Sequence, residues 1–430
     1  MRVQNPHAAH RPYDAELRQI LNIAAGRAAR ARLASWPRLA QPTPAWSLPG
    51  LAASLGVGAI TLKDESRRSD LGSFKLLGAP DALVQLILRR WPEHGWSAAD
   101  LFAGRHAAAL QGLVVITATD GNHGRSLAAA AQSVGVRCVI VLNAHVGPER
   151  TDAIAALGAE IVRIAGDYDE SVREAARLAR ANGWQVVSDT SYPGYEQVPQ
   201  DVMQGYGVIA DELLQATPEG SACPFTHVFV QGGVGAFPAA IVSHFWERYG
   251  ERRPAFVVVE PEQADCLLQS ARAGRPSRAS GSVESVMAGL ACGEASPLAW
   301  RFLQPAVDLF VTAGDAQAEK AMRDLADGVG GDIPVVSGES GAAGLAALQD
   351  LARDAEWKSR AGLDAQSSVL LISTEGATAP SIYAAIVGRS HEAVAADQDA
   401  WLARHASHAG AAGSPDTDAA LRFRGATTRI

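Results

Sequence analysis

Lys75 is the residue of this chain whose position best suits covalent chemistry. A strand-like run over residues 59–62 leads into a polar turn, and a small-residue loop then presents Lys75 just before the apolar face that starts at Leu76. A lysine at such a loop-to-helix junction is partly desolvated, which should lower the pKa of its amine and make it a competent Schiff-base nucleophile. Most lysines are solvated surface charges, so the assignment depends on what the neighbouring loops supply.

The second informative feature is a glycine-rich loop, Gln231-Gly232-Gly233-Val234-Gly235-Ala236, which follows a strand pattern and precedes a helical one. Glycines allow consecutive backbone N–H groups to converge on an anion, and a helix N-terminus adds a favourable potential there. A tight strand-to-helix turn without a ligand would have the same pattern. The loop lacks the Gly-Lys-Ser/Thr ending of a P-loop, and no GxGxxG with a downstream acidic residue indicates a dinucleotide site.

Two further strand ends bear polar groups. The run 119–124, Thr-Asp-Gly-Asn-His-Gly, precedes an alanine-rich helix, and Asp189 ends another strand pattern. Both could be only capping turns, and His123 taken alone fits a structural role better than a catalytic one. Because ligand loops of a parallel sheet meet at the carboxyl ends of its strands, Asp120 and Asp189 could face one cleft, where two carboxylates would suit a substrate with two amines. With Lys75 and the glycine loop, they describe a pocket for pyridoxal 5′-phosphate (PLP).

The composition excludes several other classes of protein. The chain has 430 residues, with 47% hydrophobic and 20% charged side chains, which predicts a globular enzyme of two domains. Its 38 basic and 46 acidic residues give a net charge of −8 without a long basic run, so we expect no nucleic-acid partner. No apolar stretch has the length of a membrane span and residues 1–6 start no signal peptide, so we expect a cytoplasmic protein with no membrane partner.

Cysteine and histidine patterns do not indicate a metal. Four cysteines in a chain of this length are not a disulfide framework. No CxxC or HExxH spacing is present, and the 11 histidines do not cluster as metal ligands do. We therefore predict no structural zinc and no metal in the site.

Strand and helix patterns alternate from about residue 114 to 187, and a second series runs from 228 to 372. Short apolar runs that alternate with amphipathic helices predict an α/β fold, here two doubly wound domains with mostly parallel sheets. We predict a large, discontinuous PLP-binding domain from residues 1–112 and 226–387, and a small α/β domain from 113–225. The loop-rich segment 273–297 is a plausible lid, and residues 388–430 are predicted to be a C-terminal extension, either mobile or an accessory helix.

Over roughly residues 46–387 the chain resembles the fold-type II PLP enzymes, which share the tryptophan synthase β-like fold and include the threonine and serine dehydratases. Within that group it is most similar to the diaminopropionate ammonia-lyases. The shared motifs are KDES at 63–66 with FK at 74–75, ATDGNHGR at 118–125, DT at 189–190 with GY at 194–195, MQGY at 203–206, VEP at 259–261, MAGLACGE at 287–294, SGESG at 337–341 and ISTEG at 372–376. Typical dehydratases have a small residue in place of Asp120, and this difference points to a diamine substrate.

Three positions depart from the family pattern. Ala377 stands where another acidic residue is usual, the glycine loop has Gly232-Gly233 where an alanine is often found in the middle, and the tail after about Gly388 is longer. These departures leave substrate breadth and assembly open.

The resemblance implies a role for each matching residue. Lys75 would form the covalent link to PLP, Asn122 would reach the phenolic oxygen, Ser373 would face the pyridine nitrogen, and Glu339 would lie near the ring edge. The phosphate would be held by Gly232, Gly233, Val234, Gly235 and Ala236. The implied reaction is β-elimination from 2,3-diaminopropionate to pyruvate and two ammonia. Family members are homodimers, and the resemblance also allows a disulfide between Cys266 and Cys292 near the entrance.

The implied catalytic residues are Lys75, Asp120 and Asp189. Lys75 lies on one face of the cofactor and can take the α-proton of the L-isomer, whereas the D-isomer presents its α-proton on the opposite face. Asp120, assisted by Asp189, is placed to act there, so we expect both isomers to be substrates. The two carboxylates would also bind the departing ammonium group by charge-assisted hydrogen bonds.

Three alternatives stay open at this point. A serine or threonine dehydratase of the same fold would release ammonia from serine at least as efficiently as from diaminopropionate, although Asp120 would then have no distal cation to pair with. A PLP-binding sensor or buffer would show little catalysis. A synthase that adds a nucleophile to an aminoacrylate would be revealed by trapping with thiols or amines.

Overall fold

The computed structural model describes residues 1–39, 42–119 and 121–409. Two β-sheets, each flanked by helices, form its framework. The strands are β1 Arg2–Gln4, β2 Ala45–Ser47, β3 Ala59–Asp64, β4 Val114–Ala118, β5 Arg137–Leu142, β6 Glu160–Arg163, β7 Gln185–Val186, β8 His227–Gln231, β9 Ala255–Pro261, β10 Leu309–Ala313 and β11 Ser368–Ser373.

The α-helices alternate with these strands along most of the chain. They are α1 Ala15–Ile20, α2 Ile23–Leu33, α3 Pro49–Leu55, α4 Ala79–Arg90, α5 Ala98–Phe102, α6 Asn122–Val134, α7 Pro148–Ala155, α8 Tyr168–Asn182, α9 Gln197–Gln215, α10 Ala236–Tyr249, α11 Cys266–Ala273, α12 Pro297–Ala306, α13 Asp315–Asp327, α14 Ala343–Arg353, α15 Ala355–Arg360, α16 Pro380–Val387 and α17 His391–Ala409. Short 3₁₀ turns cover Glu65–Arg67, Phe74–Leu77, Pro92–His94, Gly250–Arg252, Ala288–Leu290 and Val329–Gly331.

The larger sheet has the order β1-β10-β9-β8-β11-β3-β2, and the smaller has the order β6-β5-β4-β7. All ladders are parallel except those of the two edge strands of the larger sheet, β1 and β2. The residues of β4 and β8 are buried throughout, as expected for parallel strands that are covered by helices on both faces. The predicted α/β class with mostly parallel sheets is confirmed.

The carboxyl ends of β4, β8 and β11 bring three of the predicted loops together. The turn after β3 joins them, since Ser73 forms an isolated antiparallel bridge with Glu375 just beyond β11. At the end of β8, Gly235 has φ +103°, a backbone conformation that favours glycine and lets the chain turn directly into α10. Parallel topology therefore gathers ligand loops at one edge of each sheet, and one cavity is lined by segments from both sheets that are up to about 300 residues apart.

The domain boundaries remain a prediction. All four strands of the smaller sheet lie between residues 114 and 186, and the strands of the larger sheet lie outside that range. Helix α9, which the sequence assigned to the small domain, packs against α2, α4 and α10. Its burial against helices of the larger unit arises from tertiary contacts that no local pattern predicts.

In the C-terminal extension, α17 lies against the body of the protein. Its Val394 is fully buried, the Gln398 amide donates to the Pro334 carbonyl at 2.7 Å, and the Trp401 indole donates to the Gly331 carbonyl at 2.9 Å. Residues 410–430 of the predicted extension lie outside the described residues. Within the described ranges, no helix combines the length and apolar character needed to cross a membrane.

Candidate active site

The backbone of Lys75 is fixed from two sides. Ser73 caps its 3₁₀ turn by accepting the Lys75 N–H at 3.3 Å, and the preceding Phe74 donates its N–H to the Thr374 carbonyl at 3.0 Å. From the smaller sheet's first helix, Ser126 donates its hydroxyl to the Lys75 carbonyl at 2.7 Å. The lysine is therefore held between the end of β11 and helix α6.

The Lys75 amine forms an ion pair with Asp189, with Nζ 2.5 Å from Oδ2. The phenol of Tyr206 also donates to Asp189 Oδ2, at 3.4 Å, and Nζ lies 5.2 and 5.4 Å from the ring centroids of Phe74 and Tyr206. Burial alone would lower the pKa of this amine, but Asp189 and then Tyr206 reverse the effect and raise the pKa well above its ordinary value. The sequence-based expectation of a lowered pKa is thus wrong for the free amine, because it considered desolvation without the adjacent carboxylate.

Asp189 shows the complementary shift. Its burial would raise the pKa of the carboxyl, yet Lys75 and then His123 lower it to about 2. The His123 Nε2 is bonded to the Val187 carbonyl at 2.8 Å, and its Nδ1 lies 3.9 Å from Asp189 Oδ2. Burial lowers the pKa of this imidazole. His123, which the sequence favoured as structural, is therefore also part of the cavity wall.

The glycine loop forms another wall of the same cavity. Gly233, Val234, Gly235 and Ala236 line it, whereas Gly232 lies behind it, where a Cβ atom would come within 2.8 Å of Val258 Cγ1. A Cβ atom on Gly233 would meet the Cys292 sulfur at 3.2 Å. A larger side chain at position 232 would therefore press on the core behind the loop, and one at position 233 would narrow the cavity beside Cys292.

The two cysteines named by the resemblance lie next to this loop. The Cys266 thiol donates to the Gly233 carbonyl at 3.5 Å, and Cys292 lines the cavity. Among the described residues, no disulfide is formed between Cys266 and Cys292.

A group of acidic and basic side chains borders the cavity near Asn122. The Asn122 amide donates to Glu375 Oε2, and Glu375 Oε1 accepts the Ser340 N–H at 3.1 Å. Glu339 is buried, and burial together with the neighbouring Glu375 raises its pKa to about 7. Its Oε1 lies 3.6 Å from the Arg150 guanidinium.

One cavity thus brings together seven of the predicted site residues. They are Lys75, Asn122, Asp189, Gly233, Val234, Gly235 and Ala236. Gly232, Glu339 and Ser373 lie behind its lining, and the Ser373 hydroxyl donates to Ser337 Oγ at 2.8 Å. Asp120 lies outside the described residues.

Several lining residues were not predicted from the sequence. Gln231, Thr374 and Glu375 are adjacent to predicted positions, so the strand-end rule could have found them. The Gln231 amide donates to the Gly341 and Ile372 carbonyls at 3.0 and 2.7 Å and so joins the glycine loop to β11. Arg150 and Tyr168, at the starts of α7 and α8, have no distinguishing local pattern and enter the site only through the tertiary fold.

Comparison with known proteins identifies the family. A family model described as pyridoxal-phosphate dependent enzyme matches residues 38–375. The chain belongs to the pyridoxal-phosphate dependent enzymes. Within this family, it is 39% identical to the diaminopropionate ammonia-lyase of Salmonella typhimurium over 358 residues, which are 81% of this chain and 89% of that protein.

Solved structures of the family agree with this assignment. The chain superposes with a TM-score of 0.81 and 33% identity on the Escherichia coli diaminopropionate ammonia-lyase in complex with D-serine. The TM-score is 0.79 for the same enzyme in complex with an aminoacrylate-PLP azomethine reaction intermediate, again at 33% identity. Each superposition covers 90% of this chain and 96% of the other. The fold-type II resemblance, the similarity to these lyases and PLP as cofactor are confirmed.

Proposed function

We propose that the protein is a PLP-dependent carbon–nitrogen lyase that converts 2,3-diaminopropionate to pyruvate and two ammonia. The main supporting observation is the Lys75–Asp189 ion pair, whose atoms are 2.5 Å apart in a cavity that the glycine loop also lines. It places a nucleophilic amine next to a carboxylate that can bind a second amine. The similarity to diaminopropionate ammonia-lyases supports the same substrate.

The residues present fit PLP. Gly233 leaves open a cradle that a Cβ would narrow beside Cys292, and Gly235 turns the chain into the N-terminus of α10, an arrangement that suits a phosphate. Asn122 would bind the phenolic oxygen, Ser373 the pyridine nitrogen, and Glu339 would lie by the ring edge. When bound through Lys75, PLP supplies an electron sink for negative charge at the substrate Cα.

The charge of the site changes when a diamine enters. While the Lys75 amine is free, Asp189 keeps it protonated, and a protonated amine cannot act as nucleophile or base. A substrate β-ammonium group would compete for Asp189 and repel Lys75, and both effects lower the pKa of the lysine toward its working range. The charged Asp189 would then hold the β-nitrogen in the protonated form in which it departs as ammonia.

The two isomers need different bases. Lys75 would remove the α-proton of the L-isomer, and Asp120, assisted by Asp189, would remove that of the D-isomer from the opposite face. The assignment of Asp120 rests on the sequence. Asp120→Asn should reduce D-isomer turnover more than L-isomer turnover, and equal losses would reject the two-base assignment.

Assembly and location belong to the same proposal. The resemblance supports a homodimer, and the net charge of −8 without a long basic run argues against a nucleic-acid partner. A cytoplasmic location and action on a free amino acid are parts of the same proposal. Light scattering of the purified holoprotein tests the dimer, since a monomeric mass would contradict it.

The direct test is pyruvate formation from L- and D-2,3-diaminopropionate and from L- and D-serine, measured side by side. We expect turnover of diaminopropionate to exceed that of serine, because only the diamine offers a cation to Asp189. If serine were turned over at least as efficiently as diaminopropionate, the protein would instead be a serine dehydratase. Absence of pyruvate from every substrate would contradict both reactions.

A further inference from the structure

We propose that Tyr206 is a positioning residue, which holds the Asp189 carboxylate at the cavity through a hydrogen bond that does not depend on the charge of Lys75. This inference rests on the proposed function, in which Asp189 binds the second amine of the substrate. The supporting geometry is a fully buried phenol whose Oη lies 3.4 Å from Asp189 Oδ2, the same oxygen that lies 2.5 Å from the Lys75 amine.

Tyr206 lies behind the cavity wall, on the long helix α9. It is not among the lining residues, whereas Asp189 is, so the phenol acts on a ligand only through that carboxylate. Its ring packs against Phe74, with ring centroids 4.7 Å apart, and against Phe237, with centroids 6.4 Å apart. Both phenylalanines line the cavity. Packing on two sides therefore fixes the direction of the hydroxyl.

Two glycines let the turn that carries Lys75 lie directly on α9. A Cβ atom on Gly78, just after this turn, would come within 2.4 Å of Tyr206 Cε1. A Cβ atom on Gly205, the neighbour of Tyr206 in α9, would come within 2.0 Å of the Leu77 carbonyl oxygen. Neither position has room for a side chain, and this close approach brings the phenol and the lysine amine to one carboxylate oxygen.

The phenol remains a donor in every state of the lysine. While the Lys75 amine is free, it is an ammonium group that donates to Asp189. When Lys75 carries the cofactor, its nitrogen is no longer a free ammonium group with three donors, so this bond is weakened or lost. Burial raises the pKa of the Tyr206 phenol well above its ordinary value, so the hydroxyl keeps its proton at neutral pH. Tyr206 thus continues to satisfy a buried carboxylate that would be unfavourable without a donor.

The other polar groups near Asp189 do not replace this hydrogen bond. His123, on α6, donates through Nε2 to a backbone carbonyl, and burial lowers the pKa of its ring. In the neutral imidazole the Nδ1 atom, 3.9 Å from Asp189 Oδ2, therefore has no proton to donate. The Tyr195 hydroxyl donates to the Val186 carbonyl at 3.0 Å and accepts the Ser188 N–H at 2.9 Å. It fixes the backbone before Asp189 rather than the carboxylate.

The test compares Tyr206→Phe, which removes only the hydroxyl, with the control Tyr13→Phe. Tyr13 is also buried, and its hydroxyl donates to the Leu21 carbonyl at 2.8 Å, outside the cavity. Each PLP-loaded protein is mixed with L-2,3-diaminopropionate or with L-alanine, which has the same α-amine and carboxylate but no second amine. The affinity for each amino acid is measured from the visible absorbance of the cofactor, and pyruvate formation is measured in parallel.

We expect Tyr206→Phe to weaken the affinity for diaminopropionate about tenfold, because Asp189 loses the hydrogen bond that holds it. The affinity for L-alanine should stay unchanged, since alanine presents no cation to Asp189. Tyr13→Phe should change neither affinity. Equal losses for the two amino acids in Tyr206→Phe would show a general effect on the fold, and unchanged affinity for both would show that the hydroxyl has no role. Either result would overturn the assignment.

A double substitution shows whether Tyr206 acts through Asp189. Asp189→Asn removes the charge that the phenol holds, so adding Tyr206→Phe to it should cause little further loss of affinity for the diamine. If the two losses multiplied instead, Tyr206 would act independently of Asp189, and the positioning role would be rejected.

Failure of the proposed function would look different from failure of this inference. In that case even the unaltered protein would form no pyruvate from diaminopropionate. The affinity of Tyr206→Phe for the diamine would still fall relative to that for alanine, and Asp189→Asn would still abolish the difference, which would support the positioning role by itself.

Discussion

Asp189 and Glu339 are two buried carboxylates of the same site, and their pKa values are displaced in opposite directions. The pKa of Asp189 is lowered to about 2, whereas that of Glu339 is raised to about 7. Burial by itself raises both values. The neighbours differ, because Asp189 lies 2.5 Å from the Lys75 amine while Glu339 lies beside Glu375 and 3.6 Å from Arg150.

For Asp189 the Lys75 amine outweighs burial, whereas for Glu339 burial and the negative charge of Glu375 outweigh the Arg150 guanidinium. The region around Asp189 carries a fixed negative charge and suits an incoming ammonium group. The region around Glu339 loses much of its negative charge near neutral pH.

The largest effect is expected from Lys75→Ala, which removes the cation that distinguishes the two regions. Without the amine, the covalent link to the cofactor and the base for the L-isomer are both lost, so turnover should fall about 1000-fold or more. Pyruvate formation and the visible absorbance of the bound cofactor measure this loss. Lys320→Ala, which alters a half-buried lysine outside the cavity that is paired with Asp324, is the matched control. Normal turnover after Lys75→Ala would show that another lysine is used.

Asp189→Asn should reduce turnover of diaminopropionate about 100-fold, since both the partner of Lys75 and the site for the β-ammonium group are lost. Asp152→Asn, at an exposed position of α7, is the control.

The pH dependence of stability tests the Asp189–Lys75 ion pair independently of activity. Its folded-state pKa is below the ordinary value of 3.8, so its contribution is present above that pH and is lost as the pH falls toward 2. The difference in unfolding free energy between the unaltered protein and Asp189→Asn should therefore shrink below about pH 4. A difference that is independent of pH would contradict the ion pair.

Glu339→Gln tests a pKa shift that is opposite in sign to that of Asp189. The folded-state pKa of Glu339 is raised from 4.5 to about 7, so its contribution to stability is greatest below pH 4.5 and is lost as the pH rises through 7. The variant should be more stable than the unaltered protein at pH 8.5, by roughly 1–3 kcal/mol, and this advantage should vanish near pH 5. Urea denaturation at the two pH values measures it, and an equal change at both would contradict the raised pKa.

The smallest effect is expected from Glu375→Gln, which removes the negative charge beside Glu339. The pKa of Glu339 should move down, so the pH at which stability declines should fall below 7, with a change in unfolding free energy of about 1 kcal/mol at pH 8. Glu375 also accepts hydrogen bonds from Asn122 and Ser340, so the substitution can lower stability at every pH. The measurement that tests the charge effect is therefore the pH at which the unfolding free energy declines. An unchanged pH of decline would show that Glu375 does not perturb Glu339.

Much of the fold and seven of the 25 residues that line the cavity could be predicted from the sequence. The strand patterns at 228–230 and 369–372 correspond to β8 and β11, because buried parallel strands are apolar on both faces and stand out between helices. The glycine loop was located by its place after β8. Arg150 and Tyr168 were missed, because each begins a helix with ordinary surface composition and its approach to Lys75 depends on how the two sheets pack.

The sequence by itself determined the α/β class, the cofactor, and the positions of Lys75, Asp189 and the glycine loop. The class and the positions follow from local periodicity and from the rule that ligand loops lie at the carboxyl ends of parallel strands. The cofactor follows from Lys75 and the glycine loop together with the family resemblance. Only the tertiary structure decided the charge state of each group. Lys75 was expected to have a lowered pKa from burial, and the carboxylate 114 positions away in the chain reverses that direction. Coulombic interactions depend on distances of a few ångströms in space, and those distances are not contained in spacing along the chain.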